Sequence, residues 1–208
     1  MRGFLRYDSF LNQTLIRLAD CFCLSLLWTL CCLPVITTGA ATAALYYAIN
    51  KGVRQGDSGI WRLFWRGFRV NFKQATLVWL LMLPLFGLLL GSVRVVLALY
   101  LANQISLTIP ILLVAAGGCV LLWAVYLFPH IATFECGTLQ LLKNCQLMAA
   151  KHPVRSVFLL GVLVAEILAL CYIPLGLLFV PGVCMWATTM LLNPVFREYM
   201  PEDTAVQI

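Results

Sequence analysis

Few side chains in this sequence could do chemistry. The first is Glu166, the one charge in an apolar run from residue 156 to 192. It lies about ten residues into a span, where a charge costs at least about 2.5–3.5 kcal/mol on insertion scales. Such a carboxyl must face other helices, hold a proton or find a partner. It is therefore either a substrate or proton contact, or a hydrogen-bonded packing residue. Arg94 is a poor partner, because it sits toward the far end of the second span and its long stem can carry the guanidinium to the interface. The stretch "HIATFEC" gathers His130, Glu135 and Cys136, and His152 follows later. Three reactive types lie close together here, but an active site needs convergent polar groups and this chain has too few. The stretch reads instead as a loop descending from the third span. There is no HExxH, GxSxG or phosphate-binding glycine loop. We expect no enzyme activity, with no catalytic, cofactor-binding or metal residue.

Nine cysteines are present, an odd number, with no CxxC spacing. Cys21, Cys23, Cys31, Cys32, Cys119, Cys171 and Cys184 lie in apolar runs, where cysteine acts as a small hydrophobe.

The elements that would position these groups are membrane helices. Of 208 residues, 62% are hydrophobic and 11% charged, against about 25% charged in an average soluble domain. The expected fold is all-α: one polytopic bundle of about five spans over residues 1–208, with a broken first span and cytoplasmic amphipathic helices. Residues 1–20 mix both charge signs with Phe4, Phe10, Leu11, Leu15 and Leu18, which can share one helical face. They read as an interfacial helix. Arg17 and Asp20 precede the first long apolar run, and no small-residue cleavage site follows, so a cleaved signal is not expected.

Residues 21–50 carry no charge. As one helix they would reach about 45 Å, against a bilayer core of about 30 Å. Pro34 and Gly39, within "LPVITTG", mark the break. Two readings fit: one tilted, kinked span, or a span followed by a shorter returning helix. Thr37 and Thr38 can satisfy backbone groups freed at the break, and Thr38 is placed to cap the second piece. The small residues Gly39, Ala40 and Ala43 then suit close helix packing, within the chain or against a partner. The other spans are expected at 75–97, 107–128, 156–173 and 178–196, the last two separated by a turn between Pro174 and Pro181–Gly182.

Between the broken span and 75–97 lies a basic amphipathic segment, 51–74. In "WRLFWRGFRVNFK" the helical period puts Trp61, Phe64, Trp65, Phe68 and Phe72 on one arc of about 100°. Arg62, Arg66, Arg69 and Lys73 fall on an adjacent arc of about 60°. An aromatic stripe beside a basic one anchors a helix at a leaflet rich in anionic lipid, each cation contributing about 1 kcal/mol, or docks a membrane partner. Nucleic acid is not expected, because the stripes are separate and flanked by membrane spans. Residues 50–74 carry Lys51, Arg54, Arg62, Arg66, Arg69 and Lys73 against Asp57; residues 129–155 carry Lys143, Lys151 and Arg155 against Glu135. The alternate connections are uncharged, so both basic loops and the C-terminus are expected in the cytoplasm. A single first span would put Arg2 and Arg6 outside; a returning pair would put them inside.

With these residues in view, the chain resembles the YesL family of small bacterial membrane proteins, long catalogued as a domain of unknown function. The likeness is carried by "ADCFCLSLLWTLCCLPVITTGAATAALYYAINKGVR" and "FWRGFRVNFKQATLVWLLM", and more weakly by "LLKNCQLMAAKHPVRSVFLL" and "NPVFREYM". It implies an integral protein of the bacterial cytoplasmic membrane, encoded beside carbohydrate ABC importers and serving such an importer as accessory subunit or regulator. No ligand-residue set comes with it. An importer permease would carry an "EAA…G" loop, and neither basic loop does; a Walker A sequence and a solute-binding domain are also absent. The expected partners are thus the lipid bilayer and permease subunits of a sugar importer. The competing reading is a small channel or transporter using Glu166 and the Thr37/Thr38/Gly39 break, although the sequence shows no clear internal repeat.

Overall fold

The computed structural model describes residues 2–54, 59–134, 137–172 and 174–199, with side chains from Thr14 onward except at 174 and 175. Glu135, Cys136 and Asp57, and the side chains of Phe4, Phe10 and Leu11, lie outside the described residues.

Among the described residues every regular element is helical. The helices are α1 (Arg2–Cys32), α2 (Thr38–Ala48), α3 (Ile60–Leu101), α4 (Thr108–Thr133), α5 (Thr138–Lys151), α6 (Pro153–Tyr172) and α7 (Val180–Glu198). A 3-10 turn, Val35–Thr37, joins α1 to α2, and a π-helical segment, Ile49–Arg54, continues α2. Among the described residues four helical stretches are long and apolar enough to cross a membrane: Thr14–Cys32, Ile60–Leu101, Thr108–Thr133 and Pro153–Tyr172. The chain is a multi-pass membrane protein.

The boundaries differ from expectation in three places. The interfacial helix expected at 1–20 and the start of the broken span form one rod, α1. The basic segment 51–74 and the span 75–97 are likewise continuous, because no breaker separates Lys73 from Ala75 and Gln74 is a good helix former. At 42 residues, α3 is about 63 Å long. Finally, α7 covers the expected span 178–196 but is not among the four apolar crossings. Thr188, Thr189 and Asn193 dilute its apolar character and are all buried inside the bundle.

The break falls where length demanded it, between Cys32 and Thr38, and of the two readings the short second helix is the one formed. Eight of the eleven α2 residues are buried, so α2 is an internal element with α3, α4, α1 and α7 around it. The core gathers Ala40, Ala43 and Tyr46 of α2 with Val78 and Met82 of α3, Tyr126, Leu127, Phe128 and Ile131 of α4, Leu159 of α6, and Leu192 and Phe196 of α7. A second cluster joins Cys21, Leu24 and Leu27 of α1 to Leu45 and Ile49, with Leu63 and Phe64 of α3. Beyond Met82, α3 has no buried residue, and in α6 only Ser156 and Leu159 are buried. The packed core therefore sits at the basic-loop end of these helices.

Candidate functional site

The hinge comes first, because its residues set where α3 lies. Pro34 ends α1, and Thr37 N–H donates to the Pro34 carbonyl at 3.0 Å. The Thr37 hydroxyl turns back onto α1, donating to Cys31 O at 2.5 Å and Pro34 O at 2.8 Å. It satisfies carbonyls that the helix end leaves open. The expected cap is corrected here: Thr38 is the first residue of α2, Thr37 stands at the N-cap, and neither makes a side-chain cap bond. The Trp79 indole of α3 donates to the Val35 carbonyl at 2.7 Å, pinning the turn to α3.

Glycine is required at Gly39. A Cβ there would stand 2.6 Å from Trp79 Cβ and 2.7 Å from the Ala75 carbonyl oxygen. Gly67 repeats the close approach one element along, where a Cβ would stand 3.0 Å from the Tyr47 side chain. Ala40 and Ala43 have no exposed surface. Of the two uses read for this small-residue face, within the chain or against a partner, the structure shows the first: α2 is folded inward and Gly39, Ala40 and Ala43 are buried against the chain's own helices.

The basic segment is different. Arg62, Arg66, Arg69 and Lys73 are all exposed, and none has an ion pair among the described residues. The aromatic arc divides in two. Phe64 is buried against α1 and α2, while Trp61 is 59% and Trp65 36% exposed. Trp61, Arg62, Trp65, Arg66, Arg69 and Val70 line one shallow open groove on the outside of α3. Inside that arc the rings touch in sequence: Trp65 meets Phe68 edge-on at 5.6 Å between centroids, and Phe68 meets Phe72 tilted at 5.4 Å.

Glu166 and the histidines do not converge. His130 is buried near the end of α4, its ring 4.6 Å from Phe134 and 6.0 Å from Phe196. It borders a hollow of about 300 Å³ with Gln140, Asn144 and Tyr199. His152 lies between α5 and α6, its Nε2 3.3 Å from Glu198 Oε2. Glu166 stands on α6, about 20 Å along the helix from Pro153, partly exposed and within electrostatic reach of Cys184 on α7. The hinge is equally far from it. Gly39 packs at the level of Phe128 on α4, about 18 Å along the axis from the level of Glu166.

The polar centre that sequence reasoning passed over is a buried chain of side chains. Tyr46 Oη donates to Asn193 Oδ1 at 2.8 Å, and Asn193 Nδ2 donates to Asn50 Oδ1 at 2.6 Å. Arg54 reaches the Thr189 carbonyl at 3.4 Å. These bonds tie α2 and the π segment to α7. The signal was available: two asparagines, Asn50 and Asn193, stand in otherwise apolar runs. A second stitch joins α7 to α1, where Gly182 N–H donates to Ser25 Oγ at 2.8 Å and a Cβ on Gly182 would collide with the Cys21 carbonyl.

With this geometry in place, the comparisons add one match. Residues 21–93 match the model of a family described as a protein of unknown function, DUF624. The matched region runs from the last turns of α1 through the hinge, α2, the π segment and the first four-fifths of α3. It contains Pro34, Gly39, Gly67 and the whole arginine–tryptophan face. No curated protein and no solved structure matches the chain.

Proposed function

We propose that the chain is a non-enzymatic accessory subunit or regulator of a carbohydrate ABC importer in the bacterial cytoplasmic membrane, docking through the outer face of α3. The observation that carries this reading is the row of free cations, Arg62, Arg66, Arg69 and Lys73, beside the exposed Trp61 and Trp65. They sit on the outer side of α3, while the small residues Gly39, Ala40 and Ala43 and the Phe64 ring are packed inside. Cations on a preformed helix face suit anionic headgroups or an acidic partner surface, and they set the rate and specificity of docking more than its strength. The importer rests on the resemblance to the YesL family. The basic loops and the C-terminus lie in the cytoplasm on this reading.

The test is affinity capture of the tagged protein in mild detergent from a cell that expresses a sugar importer. Wild-type protein brings down permease subunits; the triple variant Arg62→Glu, Arg66→Glu, Arg69→Glu does not. Equal recovery with both removes these arginines from the interface. No transporter component above background with wild type ends the importer reading. The transporter reading gains little support, because Glu166 and the hinge do not share a site.

A further inference from the structure

The hollow beside His130 takes no part in the docking just described. The residues that border it lie outside the expected spans, in the basic loop 129–155 or past the end of the span 178–196. A water-borne solute therefore reaches it without entering hydrocarbon. The hollow has a floor and a mouth. His130 and Met148 are each 2% exposed and stand deepest, while Gln140 and Leu147 are exposed at the rim. At about 300 Å³ it has the size of a small ligand site, with room for about ten waters.

Its polar groups converge from separate elements. Gln140 and Asn144 stand one turn apart on α5, His130 comes from α4, and Tyr199 follows the end of α7. A glutamine and an asparagine at this spacing can bond each other on a helix. Here neither carboxamide has a hydrogen bond among the described residues, although each presents N–H donors beside a carbonyl acceptor. No charged side chain borders the hollow among those residues. Lys151 lies over the Tyr199 ring but is paired with Glu198. Phe134, Leu147 and Met148 make the apolar part of the wall.

We propose that this hollow binds a small uncharged solute carrying neighbouring hydroxyl groups, with Gln140 and Asn144 as the residues that recognise it. A hydroxyl both donates and accepts, so a pair of them matches the two sides of a carboxamide. An ion would enter without a counter-charge, which burial makes costly. A purely apolar solute would strip both carboxamides of water and leave them unpaired. Phe134 and Met148 cover the C–H edges of the solute. Once bound, it ties α5 to the ends of α4 and α7. The site stands apart from the arginine face and holds whether or not the chain serves an importer.

Melting of the full chain in mild detergent, with ribose, xylitol and myo-inositol added in turn, tests this. At least one of the three raises the melting temperature and saturates, as binding to the folded state requires. Equilibrium dialysis of the same compound, radiolabelled, gives the same midpoint. Asn144→Leu and Gln140→Leu each raise that midpoint at least about tenfold, the effect of losing a hydrogen-bonding carboxamide. Gln146→Leu, on the same helix but beside a different hollow, leaves it unchanged. The melting of each variant without solute shows that it is folded, and Asn144→Ala and Gln140→Ala replace a leucine variant that is not. The triple arginine variant binds the solute as wild type does, so loss of importer capture and loss of solute binding are read separately. A rise that never saturates and is equal in every variant is exclusion of the polyol from the protein surface, and it overturns the proposal. No binding of any of the three compounds overturns it as well, as does saturable binding that both carboxamide variants keep. Equal binding of cyclohexanol would make the hollow an apolar site, and binding of gluconate or glucosamine in place of the neutral compounds would make it an ion site; either result overturns the proposal.

Discussion

Asn193 is the residue on which the packed end of the bundle turns. Its side chain accepts from Tyr46 and donates to Asn50, so a single amide closes three elements together. Asn193→Leu would leave two buried polar groups without their partner, at about 1–3 kcal/mol each. Thermal unfolding in detergent should shift downward, and Tyr46→Phe should cost less when made in the Asn193→Leu background than alone. Equal costs in both backgrounds would mean the bond contributes nothing. Gly39 makes a similar demand through space rather than polarity. Its nearest obstacle includes the Ala75 backbone carbonyl, which cannot rotate away. Gly39→Ala should therefore destabilise by about 1–3 kcal/mol, while Gly87→Ala, with open space around it inside α3, should raise stability by up to about 1 kcal/mol through helix propensity. Of these residues Gly39 was legible in sequence, because a glycine after a proline inside an over-long apolar run has to be structural. Asn193 was not singled out, because a sequence shows that an asparagine is out of place without showing which other one it meets.

Among the elements, α2 was the hardest to read. Its run of alanines signals close packing, but small residues carry no address, and the same pattern serves an inner or an outer interface. What decided it was the turn at Val35–Thr37, which sends the chain back into its own core. The arginine stripe was legible because helical spacing groups charges whatever packs behind them. The aromatic stripe was only half legible: Phe64 and Trp61 are one helical turn apart, yet the first is buried and the second exposed. The α5–α7 clasp makes its own prediction. Lys151 Nζ bonds Glu198 Oε1 at 3.1 Å. That bond holds the Glu198 carboxyl below its ordinary value, and the same bond, with help from Tyr199, raises the Lys151 ammonium. Stability from Glu198 is present above its ordinary 4.5 and is lost as pH falls through the lowered value. Stability from Lys151 is present below its ordinary 10.5 and is lost as pH rises through the raised value. Amide exchange in the last turn of α7 should speed up on both flanks, and Glu198→Gln should remove the acid flank. An unaltered acid flank in Glu198→Gln would assign it elsewhere.

For the whole molecule, the feature with the widest reach is the unbroken run of α3 from Arg62 to Leu101. Its near half is clamped by α2 through Gly39 and Gly67, and its far half has no buried residue beyond Met82. A rod held at one end is a lever. The far end lies about 33 Å from the clamp at Trp79, so a tilt of about 5° there carries it sideways by roughly 3 Å. Whatever engages the arginine face is thus mechanically joined to whatever touches Gly91 and Arg94, and Pro84 is the one joint between them. Replacing Pro84 with alanine would stiffen that joint. Distances between spin labels at the two ends of α3 should then narrow in distribution, and an unchanged distribution would show that the rod does not flex there.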